Sequence, residues 1–290
     1  LPNTTMPERG LGPSDLVLTA VTVAHVPLAD RLVPAREAGF RGICLGVRDI
    51  ENLLAGGWSA RAIATCVADA GLIVADVECI GIWLPGHETD TLPYARAMAG
   101  MTPRHVVDLA AELGARGVLV MDMLGSDAPA EESAARFAAI CDLAAPDGVL
   151  AQLEAVPLGS IPTIARAREI VELAGRANGR LTIDSWHLFR GAGSLSEVAA
   201  LPGGLIGCVQ LSDAPAVPLA SLLEETTRAR LTPGAGDLEL AGLIRALDAA
   251  GSQAPIAIEV FNRANRALPF TELLADSASA ARALIARARP

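Results

Sequence analysis

A single closed (β/α)8 barrel over residues 13–290 is the fold that the sequence predicts, on three observations. First, short β-branched apolar runs recur eight times along the 290 residues. Most are continuous in hydrophobicity, as parallel strands buried on both faces are. Second, Ala-, Leu-, Glu- and Arg-rich stretches with helical spacing separate them, and strand–helix alternation is the mark of a parallel α/β architecture. Third, the open, doubly wound alternative needs a G-x-G-x-x-G loop after its first strand in its common dinucleotide-binding form. Ala24-His25-Val26-Pro27 stands there instead. A hydrophobic fraction of 51% supplies a core, and no linker or composition break divides the chain. Residues 1–12 are expected to form a flexible N-terminal segment.

The elements follow in order. Leu16–Val23, rich in Val, Leu and Thr, predicts the first strand, and Leu28–Ala38 the first helix. Gly42–Gly46 reads as the second strand. Ser59 caps a helix over 59–70 that Gly71 stops. Ile73–Ile80 is the third strand. Thr102-Pro103 opens a helix over 103–113, and Gly114 closes it. Gly117–Met121, Leu150–Glu154, Leu181–Ile183, Ile206–Leu211 and Ile256–Val260 complete the strands. Helices are expected over 131–143, 164–174, 238–250 and 271–286.

Composition excludes several functions. The net charge is -10 and all 23 basic residues are Arg. A nucleic-acid partner calls for a basic surplus, and without Lys there is no Schiff-base chemistry. No apolar run approaches the roughly 18 residues of a membrane span. Cys44, Cys66, Cys79, Cys141 and Cys208 are odd in number, far apart and without a C-x-x-C pair. They are expected to be buried free thiols in a reducing cytoplasm. Leu1–Gly10 lacks the features of a signal peptide, and Met6 is a candidate start.

A barrel places its active site at the carboxyl ends of its strands. The fifth predicted strand ends in Glu154, the sixth runs into Asp184, and the seventh and eighth contain Gln210 and Glu259. A lone acid at a strand end is ordinarily a cap, a turn former or an Arg partner. Four oxygen donors on four consecutive apolar strands are a different pattern. Burying an ionised carboxylate costs several kcal/mol unless it is paired. Three carboxylates converging on one amide carry a formal charge of about -3, which becomes favourable around a divalent cation. All-oxygen ligation suits Mg or Mn better than tetrahedral zinc.

The strings Leu153-Glu154, Ile183-Asp184-Ser185-Trp186-His187, Val209-Gln210-Leu211-Ser212-Asp213, Leu231-Thr232-Pro233-Gly234-Ala235-Gly236-Asp237 and Ile258-Glu259-Val260 resemble the xylose isomerase-like TIM barrel superfamily. This group contains sugar (phosphate) isomerases and epimerases, inosose dehydratases, 3-dehydroshikimate dehydratases and repair endonucleases. The resemblance implies that Glu154, Asp184, Gln210 and Glu259 hold one divalent ion, Mn or Mg, with Co as a further option. It makes Glu154 and Glu259 the proton-transfer pair, His187 a contact to substrate or to an oxygen on the metal, and Arg230 a basic substrate contact. Gly234-Ala235-Gly236 stands where the family has Gly-Glu-Gly, so that Glu is missing. Homodimers or tetramers are the family habit.

The expected activity is a metal-dependent isomerase or epimerase acting on a ketose or sugar-derived keto acid. Proton transfer would run through a metal-stabilised enediolate. A dehydratase or lyase of the same superfamily, acting on 3-dehydroshikimate or an oxidised sugar, is the alternative. The substrate in either case is a small polyhydroxylated carbonyl compound. His25 and His87 are expected at the pocket mouth. Trp83 and Trp186 are candidates to floor it for the apolar face of a sugar, with core packing as the other reading. Asp213 either orients a ligand from behind or caps a loop. Asp122 is a weaker pocket candidate, and His105 belongs on a helix surface. Arg228 and Arg230 are placed to hold a phosphate or carboxylate, with an unphosphorylated ketose or carboxylated polyol preferred.

Overall fold

The computed structural model describes residues 10–90 and 93–289. Eight parallel strands close a barrel in sequence order. They are β1 (Leu16–Leu18), β2 (Gly42–Gly46), β3 (Ile73–Ile80), β4 (Gly117–Val120), β5 (Leu150–Glu154), β6 (Gly179–Asp184), β7 (Ile206–Leu211) and β8 (Ile256–Ile258). The last rung pairs Leu16 with Ile256 and Leu18 with Ile258. The single barrel is as expected, and β2, β3, β5 and β7 keep their expected bounds.

The first strand is shorter than predicted. Thr19 and Thr22 read as β-branched strand formers, yet both hydroxyls donate to the Ile258 carbonyl at 2.9 Å. Thr22 also accepts the Val260 N–H at 3.0 Å. Side chains that compete for backbone groups end the ladder, and Ala20–Val23 turns as a 3-10 helix. The helices Leu28–Ala38, Pro103–Leu113 and Ile164–Ala174 match expectation. Ser59 caps its helix by accepting the Ala62 N–H at 3.1 Å. Gly114, at φ 64°, closes another in the left-handed conformation that favours glycine. Short helices at Val47–Ala55, Ser185–Arg190, Leu195–Ala199 and Leu222–Arg228 were not legible. One or two turns leave too few repeats for a helical period to show.

The barrel interior is layered. Leu11, Val17, Cys44, Ala75, Cys208 and Ala257 pack together in it. Leu11 lies at the amino end, because a Cβ on Gly42, the first residue of β2, would meet its Cδ1 at 3.1 Å. Of the segment expected to be flexible, residues 1–9 lie outside the described residues, and Leu11 is buried. Full burial of such a side chain stabilises by about 2 kcal/mol. A polar layer joins Asp76 to the Gln152 amide, with Arg116 donating to the Gly207 carbonyl at 2.9 Å. Gly117 makes room for this layer, since a Cβ there would stand 2.4 Å from Gln152 Nε2. All five cysteines are free; Cys44, Cys141 and Cys208 are buried, whereas Cys66 and Cys79 are only half-buried. Among the described residues no helix is long and apolar enough to cross a membrane.

Candidate active site

At the carboxyl end of the barrel, strand alternation turns Gln152 and Glu154 of β5 inward while Ala151 and Leu153 pack against the outer core. Asp184 ends β6 and caps the next helix, its carboxylate accepting the His187 N–H at 2.7 Å. That cap carries His187 back over β5, with Nδ1 3.0 Å from Glu154 Oε1. Arg230 crosses the centre. Its Nη1 donates to Asp184 Oδ2 at 2.8 Å and to Glu259 Oε2 at 2.9 Å. Its Nη2 lies 3.1 Å from His187 Nε2. Arginine only donates, so His187 Nε2 is the acceptor of that contact. Gln210 Nε2 donates to the other Glu259 oxygen at 2.9 Å. The guanidinium is sandwiched between Trp186 and Phe261, 5.3 and 5.2 Å from the ring centroids.

The electrostatics follow from burial and this one cation. Burial raises the Asp184 pKa, but Arg230, His187 and the hydrogen bonds outweigh it and hold the carboxyl below its ordinary range. Glu259 goes the other way. Burial pushes it well up, Arg230 opposes, and the charges of Asp184, Glu154 and Glu78 add to the rise. The surrounding carboxylates raise the Arg230 pKa against the effect of its burial.

Glu78 is a further buried acid at this site. It lies on β3, lines the same chamber as Glu154 and Glu259, and has one buried oxygen without a hydrogen-bond partner. Burial, then the neighbouring Asp76 charge, pushes it up to about 8. The signal for it was present: Asp76 and Glu78 alternate within an otherwise apolar strand, the pattern that marked the later strands.

The chamber has a volume of about 390 Å³. Glu78, Glu154, His187, Arg230 and Glu259 form its polar side, and Met98, Met101, Met121 and Met123 its apolar side. Asp184 and Gln210 lie behind it, linked through Arg230 and Glu259. The four predicted ligands therefore share one buried network, but the tightest donor group differs from the prediction. Glu154, Asp184 and His187 offer ligand atoms all within 4.8 Å of one another. Glu259 is drawn out of that group by its bonds to Arg230 and Gln210. A divalent ion fits these residues. Glu154 Oε1, His187 Nδ1 and Gln210 Oε1 are buried without hydrogen-bond partners. Each such group costs about 1–3 kcal/mol, a cost that a cation relieves. Carboxylate and amide oxygens with one imidazole suit Mn or Mg, and the imidazole extends the range towards Zn and Co.

Other expected contacts are corrected. His87 does not reach the chamber: it is buried, accepts from the Trp83 and Leu84 N–H groups at 3.5 and 3.4 Å, and lies 3.3 Å from Asp122. Burial would raise the Asp122 pKa, but hydrogen bonds from His87, Ser160 and Gly125 hold it well below its ordinary range. Trp83 is core, donating to the Met121 carbonyl at 2.9 Å and meeting Phe137 edge-on. Trp186 is fully buried, donates to Glu225 at 2.9 Å and touches the site through Arg230 and edge-on through the His187 ring. The apolar wall assigned to tryptophan is supplied by methionine, and the two indole N–H groups are held by the Met121 carbonyl and the Glu225 carboxylate. Asp213 makes no bond to Gln210; it accepts the Ala214, Gly234 and Leu238 N–H groups and holds the 213–238 loop. His25 is exposed and opens on a second, outer chamber. His105 lies on its helix surface, 3.0 Å from Glu51.

A closed parallel barrel with buried carboxylates and an imidazole at the strand ends belongs to a recurrent class of α/β enzyme scaffolds. Residues 32–285 match the xylose isomerase-like TIM barrel family, and the chain belongs to it. It is similar to the 3-dehydroshikimate dehydratase of Pseudomonas aeruginosa, 35% identical over 165 residues, or 56% of this chain and 26% of that one. The Pseudomonas putida 3-dehydroshikimate dehydratase is 27% identical over 253 residues, 86% of this chain and 38% of the relative. The chain thus spans well under half of either dehydratase. An inosose isomerase of Bacillus subtilis is 29% identical over 124 residues, 42% of this chain and 44% of that protein. Among solved structures, a fusion of a xylose isomerase-like TIM barrel with a 4-hydroxyphenylpyruvate dioxygenase superposes with TM-score 0.82 at 24% identity, covering 96% of this chain and 43% of the fusion. The IOLI protein with a bound zinc atom superposes at 0.80 and 17% identity, covering 94% and 98%. Both share the fold.

Proposed function

We propose that the chain is a divalent-metal-dependent enzyme that removes a proton beside a carbonyl group of a small polyhydroxylated substrate and then expels a hydroxyl as water. The observation that carries this reading is the convergence of Glu154, Glu259 and Glu78 on one chamber beside the Glu154–Asp184–His187 donor group. The similarity to two 3-dehydroshikimate dehydratases favours elimination and a cyclic hydroxy keto acid. A bound ion, Mn or Mg, would be held by Glu154, Asp184 and His187, with Gln210 and Glu259 in reach of the network, and would polarise the substrate carbonyl.

The chain's own groups do the rest. Glu154, with an oxygen free of hydrogen bonds, takes the proton from the carbon beside the carbonyl. The C–O bond to the neighbouring carbon then breaks as a C=C bond forms. Glu78, neutral up to about pH 8, gives its proton to the departing oxygen, so water leaves and charge balances. Arg230 keeps Asp184 and Glu259 in place. The methionine wall shields the reacting carbons from water. A second reading, isomerisation or epimerisation of a ketose, is favoured by the inosose isomerase similarity. In it Glu259 returns the proton to carbon instead.

With Mn and 3-dehydroshikimate, an ultraviolet-absorbing enone or aromatic product is expected to accumulate. EDTA should abolish it, and Mn or Mg restore it. Glu154→Gln and Glu259→Gln should each lower the rate by about 10²–10⁴-fold. Solvent deuterium entering a ketose without an absorbing product would move the assignment to isomerisation. No turnover and no exchange with any keto acid or ketose overturns both readings.

A further inference from the structure

Outside the catalytic chamber lies a second cavity of about 400 Å³, between the loops that follow β1, β7 and β8. The two cavities adjoin, with Val21, Ala24, Thr227 and Phe261 in the walls of both. Their chemistry is opposite. The inner chamber has four acids, Asp49, Glu78, Glu154 and Glu259, against Arg48 and Arg230; the outer one is lined by Arg228, Arg263, Arg266 and His25 and by no acid. In a chain of net charge -10 this is a local inversion of sign. None of the three guanidinium groups makes a hydrogen bond or ion pair to a described residue, whereas Arg31, Arg190 and Arg230 are all engaged.

The placement is built into the backbone. An isolated antiparallel bridge joins Ala229 to Asn262. On one side of it the Arg230 N–H donates to the Phe261 carbonyl at 3.0 Å, and Phe261 stacks on Arg230. On the other, the Arg263 N–H donates to the Arg228 carbonyl at 2.8 Å. The same two rungs therefore fix the catalytic-chamber arginine and set Arg263 opposite Arg228. Partial burial, then the like charges of Arg266 and Arg31, lowers the His25 pKa, as a region of positive potential does.

We propose that the outer chamber is an oxyanion subsite. It takes a carboxylate or phosphate group on the end of the substrate remote from the reacting carbon, while the carbonyl end enters the acidic chamber. Guanidinium forks bind such groups bidentately, and a phosphate site between the loops after strands 7 and 8 is a recurrent use of this scaffold. The substrate is then an anionic polyhydroxy carbonyl compound rather than a neutral ketose, an assignment that rests on the reading of the inner chamber given above.

The test reads binding, not turnover. EDTA-treated, metal-free protein is titrated by calorimetry with inorganic phosphate, with shikimate and with its uncharged methyl ester. The wild type should bind at least one of the two anions, more weakly as salt is added. Preference for shikimate assigns a carboxylate, and preference for phosphate assigns a phosphate ester. The double variant Arg263→Gln/Arg266→Gln should lose anion affinity by tenfold or more, with its response to the ester and its thermal midpoint unchanged, since both side chains are exposed. A wild type that ignores both anions at millimolar concentration, or a double variant that binds them equally well, overturns the subsite. Anion binding without any turnover would remove only the catalytic reading. Turnover of neutral ketoses without anion binding would remove only the subsite.

Discussion

Arg230→Met in the metal-free protein is expected to lower the unfolding free energy by about 3–5 kcal/mol at pH 8, the cost of stripping one partner from a buried ion network. Arg230 is 1% exposed and donates to Asp184, Glu259 and the Thr226 hydroxyl. Methionine fills much of the volume between Trp186 and Phe261 and leaves two carboxylates without their cation. Proton uptake relieves part of the penalty, so the loss should shrink towards pH 4. The companion Arg230→Lys keeps the charge without the fork and should fall between. Manganese should raise the thermal midpoint of Arg230→Met more than that of the wild type, because the ion supplies the charge the variant lacks. Denaturant titrations at two pH values, with and without Mn, measure all of this. A loss under about 1 kcal/mol at pH 8 would mean that the two carboxylates do not depend on one shared cation.

Glu78→Gln should change the pH profile of stability in the opposite sense. The folded wild type keeps the Glu78 proton up to about pH 8, while an ordinary glutamate releases it near 4.5. Between those values the unfolded chain binds fewer protons than the folded one, so wild-type stability falls as pH rises through that window. At about 1.4 kcal/mol per pH unit the contribution of this one group is on the order of 4 kcal/mol by pH 8. Glutamine is a neutral isostere of the protonated acid. The variant should match the wild type near pH 5, follow a flatter profile, and be the more stable protein at pH 8. Asp76, whose pKa burial also raises, contributes in the same direction in both proteins, and the difference between the two curves reads Glu78 together with its interaction with Asp76. Parallel profiles in EDTA-treated protein would show that Glu78 ionises normally and cannot serve as a proton donor near neutral pH.

The barrel was legible because its signals are local and repeated. Ile206–Leu211 and Leu150–Glu154 are apolar on both faces, and only a parallel sheet under helices buries both. Polar atoms inside such strands stand out for the same reason, which is how Glu154, Asp184, Gln210 and Glu259 could be read as one site before any geometry. The reading failed wherever a side chain's partner came from a distant part of the chain. Trp83 and Trp186 read in sequence as pocket aromatics or as core, and acceptors from Met121 and Glu225 hold their N–H groups in the core. Asp213, three residues after Gln210, read either as its support or as a loop cap, and the loop closing back at Gly234 and Leu238 decides for the cap. Methionine, spread over the segment 98–123, gave no pattern and forms the apolar wall.

The residue order alone set the architecture, most of the strands and four of the inward-facing polar residues, because hydrophobic period and turn residues are properties of neighbours along the chain. Tertiary structure decided the charge balance. Closure of the barrel, β8 against β1, brings Glu78 to the chamber of Glu154 and Glu259, and the Ala229–Asn262 bridge sets Arg230 among the carboxylates with Arg228 and Arg263 outside. Coulomb energy depends on distance through space and on burial, and neither quantity is written in the spacing of residues along a sequence.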